Sequence, residues 1–328
     1  MANIIFTQGS NLNNSIFGKS EQPIKLFLEK RAEAFEAESV ANKIFSMQTS
    51  KNWGEKMTGM TAMDGFQPVG ENGAHPMDGM QESYSKFLEH ITWKDRFTIS
   101  REMIDDAKLM DMKKRPEAFI TGYGRTREQY AAALLSSAVA GSNARFKGLT
   151  VDAKTADGQF LFSTSHPSKV RGGSQTNKIN DAFSAAKLGE LETKMQNFKG
   201  DNGELLDVAP DTIIIPNDYG LKNDVFAAIG ADKDPATANN GFNYQYGRWN
   251  VIVWPYLNGL ISDSCKPWIL FDSRYNEIYG SAVWFDRVPL EVSNHIDRDT
   301  DAAVWDGYAR FVAGFNDWRA FAVGGCSL

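Results

Sequence analysis

From residue 23 to about residue 45, Ile24, Phe27, Leu28, Ala32, Phe35 and Ile44 recur near helical spacing, with Lys25, Glu29, Lys30, Glu33 and Glu36 between them. One apolar side and one charged side at a 3.6-residue period predict an amphipathic helix. Residues 1 to about 20 are rich in Asn, Ser and Gly and show no such period, which predicts an arm. Between Trp53 and Ser100 the chain becomes glycine-punctuated and extended, and Asn72-Gly73 is the dipeptide of a tight type I′ turn, so a long hairpin is predicted. On its return limb Phe87, Ile91, Trp93, Phe97 and Ile99 share odd parity, while His90, Thr92, Lys94, Arg96 and Thr98 take the even positions, giving one apolar and one polar face. Fully extended, the limb from Gly59 to Asn72 would reach roughly 40 Å at about 3.3 Å per residue, beyond the radius of one domain. A two-stranded hairpin is marginal alone and needs a surface to lie on. A second copy of the chain is the expected surface, with Asn72, Gly73, Phe87, Trp93 and Phe97 as the predicted contact residues.

Ser100 can cap a helix lined by Met103, Ala107 and Met110 that Pro116 interrupts. It resumes over about Arg125–Ala140, where Tyr130, Leu134, Leu135, Ala138 and Val139 form an apolar stripe. A Gly-, Ser- and Asn-rich loop with Gly172, Gly173 and Asn177 leads to a helix from about Asn180, buried through Ala182, Phe183, Ala186, Leu191 and Met195. Thr212–Ile215 reads as a short buried strand and Tyr219–Ile229 as a helix. Trp249–Trp254, Trp268–Phe271 and Ile278–Phe285 are β-prone runs with antiparallel pairing expected, and Tyr308–Val323 returns one or two strands to the sheet.

The 328 residues allow two ordinary domains or one elaborated α+β unit, and 21 Phe with 8 Trp supply a substantial core. A net charge of -6 argues against a chain that grips nucleic acid, which concentrates Lys and Arg to displace counterions. The tryptophans lack interleaved cations and read as core and interface anchors, not as base-stacking platforms. Cys265 and Cys326 are far apart in sequence without metal-type spacing, which predicts free thiols. The N-terminal residues carry no export pattern, and no apolar stretch approaches the roughly 20 residues of a membrane span.

Ser163, Ser165 and His166 raise a Ser/His hydrolase, but no nucleophile elbow, distant acid or oxyanion pocket accompanies them. The alternative is a turn before Pro167 with His166 hydrogen-bonded locally. Asp297, Asp299 and Asp301 alternate like the start of a calcium loop, yet Ala302 stands where the turn glycine belongs and Tyr308 where the bidentate Glu belongs. A solvated acidic turn or intersubunit ion pairs are the plainer reading. Gly122-Tyr123-Gly124 and Gly70-Glu71-Asn72-Gly73 lack the Lys and spacing of phosphate loops and read as turns. Lys113, Lys114 and Arg115 form the compact basic run, expected to be a solvated helix end. No catalytic, cofactor or metal residue is assigned.

Two segments, Asp157-Gly-Gln-Phe-Leu-Phe-Ser-Thr-Ser-His-Pro167 and Pro210-Asp-Thr-Ile-Ile-Ile-Pro-Asn217, together with Phe97-Thr-Ile-Ser-Arg-Glu-Met-Ile-Asp-Asp106, resemble the major capsid proteins of tailed bacteriophages, in particular their Mu-like branch. The resemblance covers most of the chain and is weakest over residues 225 to 300. It implies the α+β Hong Kong 97-type fold: an N-terminal arm and helix (1–50), an extended hairpin loop (51–100), a peripheral domain with a long spine helix and β-region (101–179), a compact α/β axial domain (180–260) and a return to the peripheral sheet (261–328). The implied function is self-assembly as pentamers and hexamers into an icosahedral head around double-stranded phage DNA, bound non-specifically at most. The implied location is the virion, with assembly in the bacterial host cytoplasm and no membrane partner. Because the loop begins only about fifty residues from Met1, a separate scaffolding protein is implied, with a portal as further partner. An encapsulin-like nanocompartment of the same fold is the alternative function.

Overall fold

The computed structural model describes residues 5–7, 18–60, 68–71, 74–75, 82–106, 109–170, 172–230, 242–262 and 265–326. In chain order these are strand β1 (Ile5–Thr7), helices α1 (Gly18–Glu38) and α2 (Ala41–Ile44), strands β2 (Ser46–Thr49), β3 (Gly54–Met60), β4 (Glu82–Glu89) and β5 (Ile91–Ile99), and helices α3 (Arg101–Asp105) and α4 (Leu109–Ala140). Short strands β6 (Arg145–Phe146), β7 (Leu149–Thr150), β8 (His166–Pro167) and β9 (Ser174–Gln175) precede α5 (Ala185–Gln196), β10 (Thr212–Ile215) and α6 (Tyr219–Ile229). The chain closes with β11 (Asn250–Val253), a 3-10 turn (Pro255–Leu260), β12 (Cys265–Phe271), α7 (Ser273–Tyr279), β13 (Ala282–Ile296), β14 (Ala303–Phe315) and β15 (Phe321–Cys326). Among the described residues no helix is long and apolar enough to cross a membrane.

Two compact units result. The first holds residues 1–55, 88–131 and 284–313. Its sheet runs β1-β13-β14-β5, with β2 also on β13. The odd residues of β5 and β14 meet α4: Trp93 stacks on Phe311 with ring centroids 5.1 Å apart, Phe97 lies 5.8 Å from Trp305 and 5.1 Å from Phe119, and Tyr130 closes on Trp284 at 5.9 Å. Within this aromatic layer the Arg127 guanidinium lies 4.5 Å from the Trp284 ring centre and donates to both oxygens of Asp286, at 2.8 and 3.1 Å. Gly307 makes room for Phe119, whose ring a Cβ there would meet at 2.3 Å.

Three expectations in this unit are corrected. The helix predicted from Pro23 to Phe45 is two, because the chain breaks at Ser39, whose hydroxyl accepts from Asn42 N and donates to buried Glu128. Pro116 does not interrupt its helix, since α4 runs through it to Ala140, and the break falls between α3 and α4. Gly122-Tyr123-Gly124 is no turn but part of α4. Glycine disfavours a helix interior by about 1 kcal/mol, but the Phe35 ring occupies the space where a Gly124 Cβ would sit.

The second unit comprises residues 56–87, 132–283 and 314–328. Its sheet has the order β11-β10-β12-β15, with β10 and β11 parallel and the other neighbours antiparallel, so the expected antiparallel pairing holds only in part. Ile213, Ile214, Ile215, Trp268, Ile269, Leu270 and Phe321 are buried in it, as a strand flanked on both faces requires. Side-chain caps start the helices here. Ser184 accepts from Lys187 N, Asp218 from Leu221 N and Asp272 from Tyr275 N, while Gly280 at φ 59° ends α7. The Ile278–Phe285 run therefore splits, helical to Tyr279 and β from Ala282. Ala182 and Ala186, predicted buried, are exposed, while Leu191 and Met195 are buried as predicted, together with Leu188 and Glu192. Cys265 and Cys326, expected as free thiols, stand opposite one another on adjacent antiparallel strands with Cα atoms 4.3 Å apart and form a disulfide. Strand register, invisible in their spacing of 61 residues, brings them together.

Candidate functional site

The predicted contact residues divide three ways. Asn72 and Gly73 lie outside the described residues. Trp93 and Phe97 belong to β5, which does not continue the hairpin but pairs along its whole length with β14, from Ile99 opposite Ala303 to Ile91 opposite Phe311. Both rings are engaged inside the first unit, and Trp93 Nε1 donates to the Phe311 carbonyl at 3.4 Å. Phe87 sits in the other unit, on β4, where it is 50% exposed. The hairpin limbs are β3 and β4, which among the described residues pair only with each other. Odd-even alternation continued across Glu89-His90, so the sequence pattern joined two strands that the fold separates.

The β4 limb is tied down by polar contacts within the second unit. Buried Lys86 donates to the carbonyls of Asp152 and Lys154 and pairs with the Asp152 carboxylate at 3.2 Å. Burial pushes its ammonium below the usual lysine value, and Asp152 opposes that shift. Ser83 donates to Asp201 at 2.7 Å, and Lys169 donates to the Ser83 carbonyl at 2.8 Å. Beside this limb opens a cleft of about 580 Å³ lined by Ser83, Tyr84, Asp201, Tyr279, Asp317 and Arg319 among others. Its charges are already spent on one another. Arg319 bonds Asp201 at 3.1 Å and Asp317 at 3.0 Å, and the Tyr275 hydroxyl donates to Asp317 at 2.9 Å.

His166 lies behind the cleft with no exposed side-chain surface. Nδ1 meets Asp157 at 2.7 Å, Nε2 meets the Asn177 side-chain oxygen at 3.3 Å, and the ring stacks 4.4 Å from Trp318. Burial alone would raise the Asp157 carboxyl, but hydrogen bonds from His166, Thr155 and Gln159 N hold it below the ordinary 3.8. Asn177 in turn donates to the carbonyls of Leu161 and Phe321, so the node joins the Asp157–Pro167 loop to β15. Both imidazole nitrogens are thereby occupied, leaving neither to activate Ser163 or Ser165, and Ser163 Oγ instead donates to the Ser165 carbonyl at 3.4 Å. The arrangement is a latch and not a triad.

Asp297 accepts from Asp299 N and the Thr300 hydroxyl, and Asp301 pairs with Arg101 at 3.7 Å, which makes this an acidic turn. Among the described residues no group of His, Cys, Asp and Glu could hold a metal ion. Arg115 of the basic run donates to the Thr98 carbonyl. Sequence reasoning missed the Arg127–Asp286 pair, the Arg319 network and a set of exposed aromatics near α6. The first two come from residues 159 and 118 positions apart. The third had a signal, an uncharged run of alternating aromatics at Phe242-Asn-Tyr-Gln-Tyr246.

A family model described as phage capsid protein matches residues 84–324 of the chain. No curated protein matches it. Among solved structures, a phage-related protein from Bordetella bronchiseptica RB50 superposes with a TM-score of 0.52 at 9% identity, covering 92% of this chain and 96% of that one. A chain from Mycobacterium phage Adephagia gives 0.50 at 12% identity, covering 88% and 90%. At such identities the likeness is one of fold, the α+β Hong Kong 97-type class.

Proposed function

Because this chain belongs to the phage capsid protein family, we propose that it assembles through copies of itself, as pentamers and hexamers, into an icosahedral head around double-stranded DNA. Its role is that of a shell protein. The observation that carries the reading is the family match over residues 84–324, which takes in most of β4, strands β5, β13 and β14 of the first sheet, nearly all of the second sheet and the latch at His166. The paired β3 and β4 limbs agree with it, since a two-stranded ribbon is marginal alone and calls for a further surface. Phe87, half exposed on that ribbon, is placed to meet a neighbour. Closed shells use heterologous contacts repeated about rotation axes, commonly burying roughly 2,000 Å² or more in obligate cases.

The fit to a DNA container rests on charge. With a net charge of -6, the chain lacks the overall excess of Lys and Arg that tight phosphate binding draws on. A separate scaffolding protein, a portal, and assembly in the host cytoplasm complete the proposal. Electron microscopy of the purified protein, alone and with a scaffolding partner, tests it. Closed icosahedral particles are expected. Particles filled with a companion enzyme in place of DNA would move the assignment to a nanocompartment, and a strictly monomeric protein would end it.

A further inference from the structure

Five aromatic side chains of the second unit face solvent close to α6. Tyr219 and Phe242 are each 85% exposed, Tyr244 54%, Tyr246 53% and Phe226 50%. Tyr219 and Phe226 are seven residues apart on α6, so they lie along one face of the helix. Segment 242–246 is fastened beside the end of that helix, because the Asn243 side chain donates to the Ala228 carbonyl at 2.7 Å. Gln245 anchors it from beneath by donating to Glu192 of α5 at 2.9 Å, and Trp249 Nε1 donates to Gln245 in turn. Tyr244 reaches across α5 at Gly189, where its hydroxyl fills the place of a Cβ. The polar residues of the run thus turn inward and the aromatic ones outward. That inverts the usual order for a surface segment.

Exposed aromatic surface on this scale is costly to leave in water and marks an interaction site. Its composition is that of an interface centre, rich in Tyr and Phe and poor in charge. Phe242–Gly247 contains no Lys, Arg, Asp or Glu, and Lys222, the one cation of α6, is turned to the Asn217 side chain at 2.7 Å. Arg248, which follows the run, is turned to Glu192 at 2.6 Å, so little here would neutralise a polyanion. Aromatic side chains bury roughly 150–250 Å² each when covered. Five that are half or more exposed therefore offer on the order of 500–700 Å², near the about 800 Å² per partner of a standard interface.

We propose that this aromatic patch, formed by Tyr219, Phe226, Phe242, Tyr244 and Tyr246, is a contact between copies of the chain, covered by a neighbouring subunit in the assembled shell. The inference rests on the shell reading and deepens it by naming a surface distinct from Phe87 and the hairpin. The neighbour is the fitting occupant because the patch is present on every copy, is uncharged and has the area of one half of a subunit contact.

Tyrosine nitration by tetranitromethane, mapped by peptide mass spectrometry, tests it on assembled particles and on subunits released from them in mild denaturant. The nitration rates of Tyr219, Tyr244 and Tyr246 are expected to fall about tenfold on assembly, as for side chains passing from exposed to buried. A Phe226→Glu, Phe242→Glu double variant is expected to stay soluble and folded by circular dichroism, and to form no particles. Particles whose three tyrosines nitrate as fast as in released subunits would overturn this proposal and leave the shell reading intact. So would protection that appears only when a scaffolding protein is added. A wild-type chain that stays monomeric at every concentration would overturn both.

Discussion

At Arg127 one guanidinium holds together two kinds of surface, an aromatic layer and a carboxylate. It stands over Trp284 and Phe311, at 4.5 and 5.2 Å from the ring centres, while its two nitrogens grip Asp286. Arginine does this through its flat, delocalised charge, which stacks and forks at once, and lysine cannot. Replacing Arg127 with Met is expected to cost roughly 2–4 kcal/mol, because it strands a partly buried Asp286. Adding Asp286→Leu should recover a good part of that loss, and a double-mutant cycle by denaturant unfolding measures it. The Asp157–His166 latch makes a second residue-scale prediction. Since the folded Asp157 carboxyl lies below its ordinary 3.8, its contribution is fully present above that value and is lost as pH falls through the lower folded one. Asp157→Asn should therefore lower stability by about 1.5–3 kcal/mol at neutral pH, the range for a hydrogen bond to a charged group. It should also flatten the fall in unfolding midpoint between about pH 5 and pH 2.

Among elements, β15 shows how the last strand is held. It pairs with β12 from Phe321 opposite Phe271 to Cys326 opposite Cys265, Asn177 accepts from Val323 N through its carbonyl, and the disulfide fastens the far end. Closing 61 residues of separation should be worth about 2–4 kcal/mol. Reduction is thus expected to lower the calorimetric Tm, and Cys326→Ser should show the same lower Tm with or without reductant. Much at this scale was legible beforehand. Strand β10 and helix α6 were predicted with their observed limits because a run of Ile between Thr and Pro, and a 3.6-residue apolar period, need no distant partner to be recognised. Ser100 was read as a cap, and its hydroxyl accepts from Met103 N at 3.4 Å. Elements that depend on a partner were not legible. The helical Gly122-Tyr123-Gly124 requires Phe35, the broken α1 requires Glu128, and the separation of β5 from the hairpin requires β14, none of which is near in sequence. The candidate contacts followed the same rule, so that Trp93 and Phe97 proved to be sheet aromatics while the aromatic run at 242–246 drew no attention.

For the molecule as a shell subunit, the division between residues that build the fold and residues that meet a neighbour decides which substitutions report on assembly. Trp93 stacks on Phe311, and Phe311 is fully buried and in contact with Trp284. Trp93→Asp would place a carboxylate against that layer, where an unpaired charge costs several kcal/mol. Its expected effect is loss of the first unit's fold, with aggregated or degraded protein. Phe87 is different. It is half exposed on a ribbon anchored by Lys86 and Ser83, so much of its ring lies in water in the isolated chain. Phe87→Asp should leave the unfolding free energy within about 1 kcal/mol of the unaltered protein, as surface changes do. If the ribbon lies on a neighbour, the same substitution buries a carboxylate in each subunit contact and is repeated at every copy, so even about 2 kcal/mol per contact weakens each step some thirtyfold. Sedimentation should then show free subunits or small rings where the unaltered chain gives closed particles. Particles of normal size from Phe87→Asp, with the substituted protein folded, would remove Phe87 from the contact and leave the aromatic patch near α6 to carry the association.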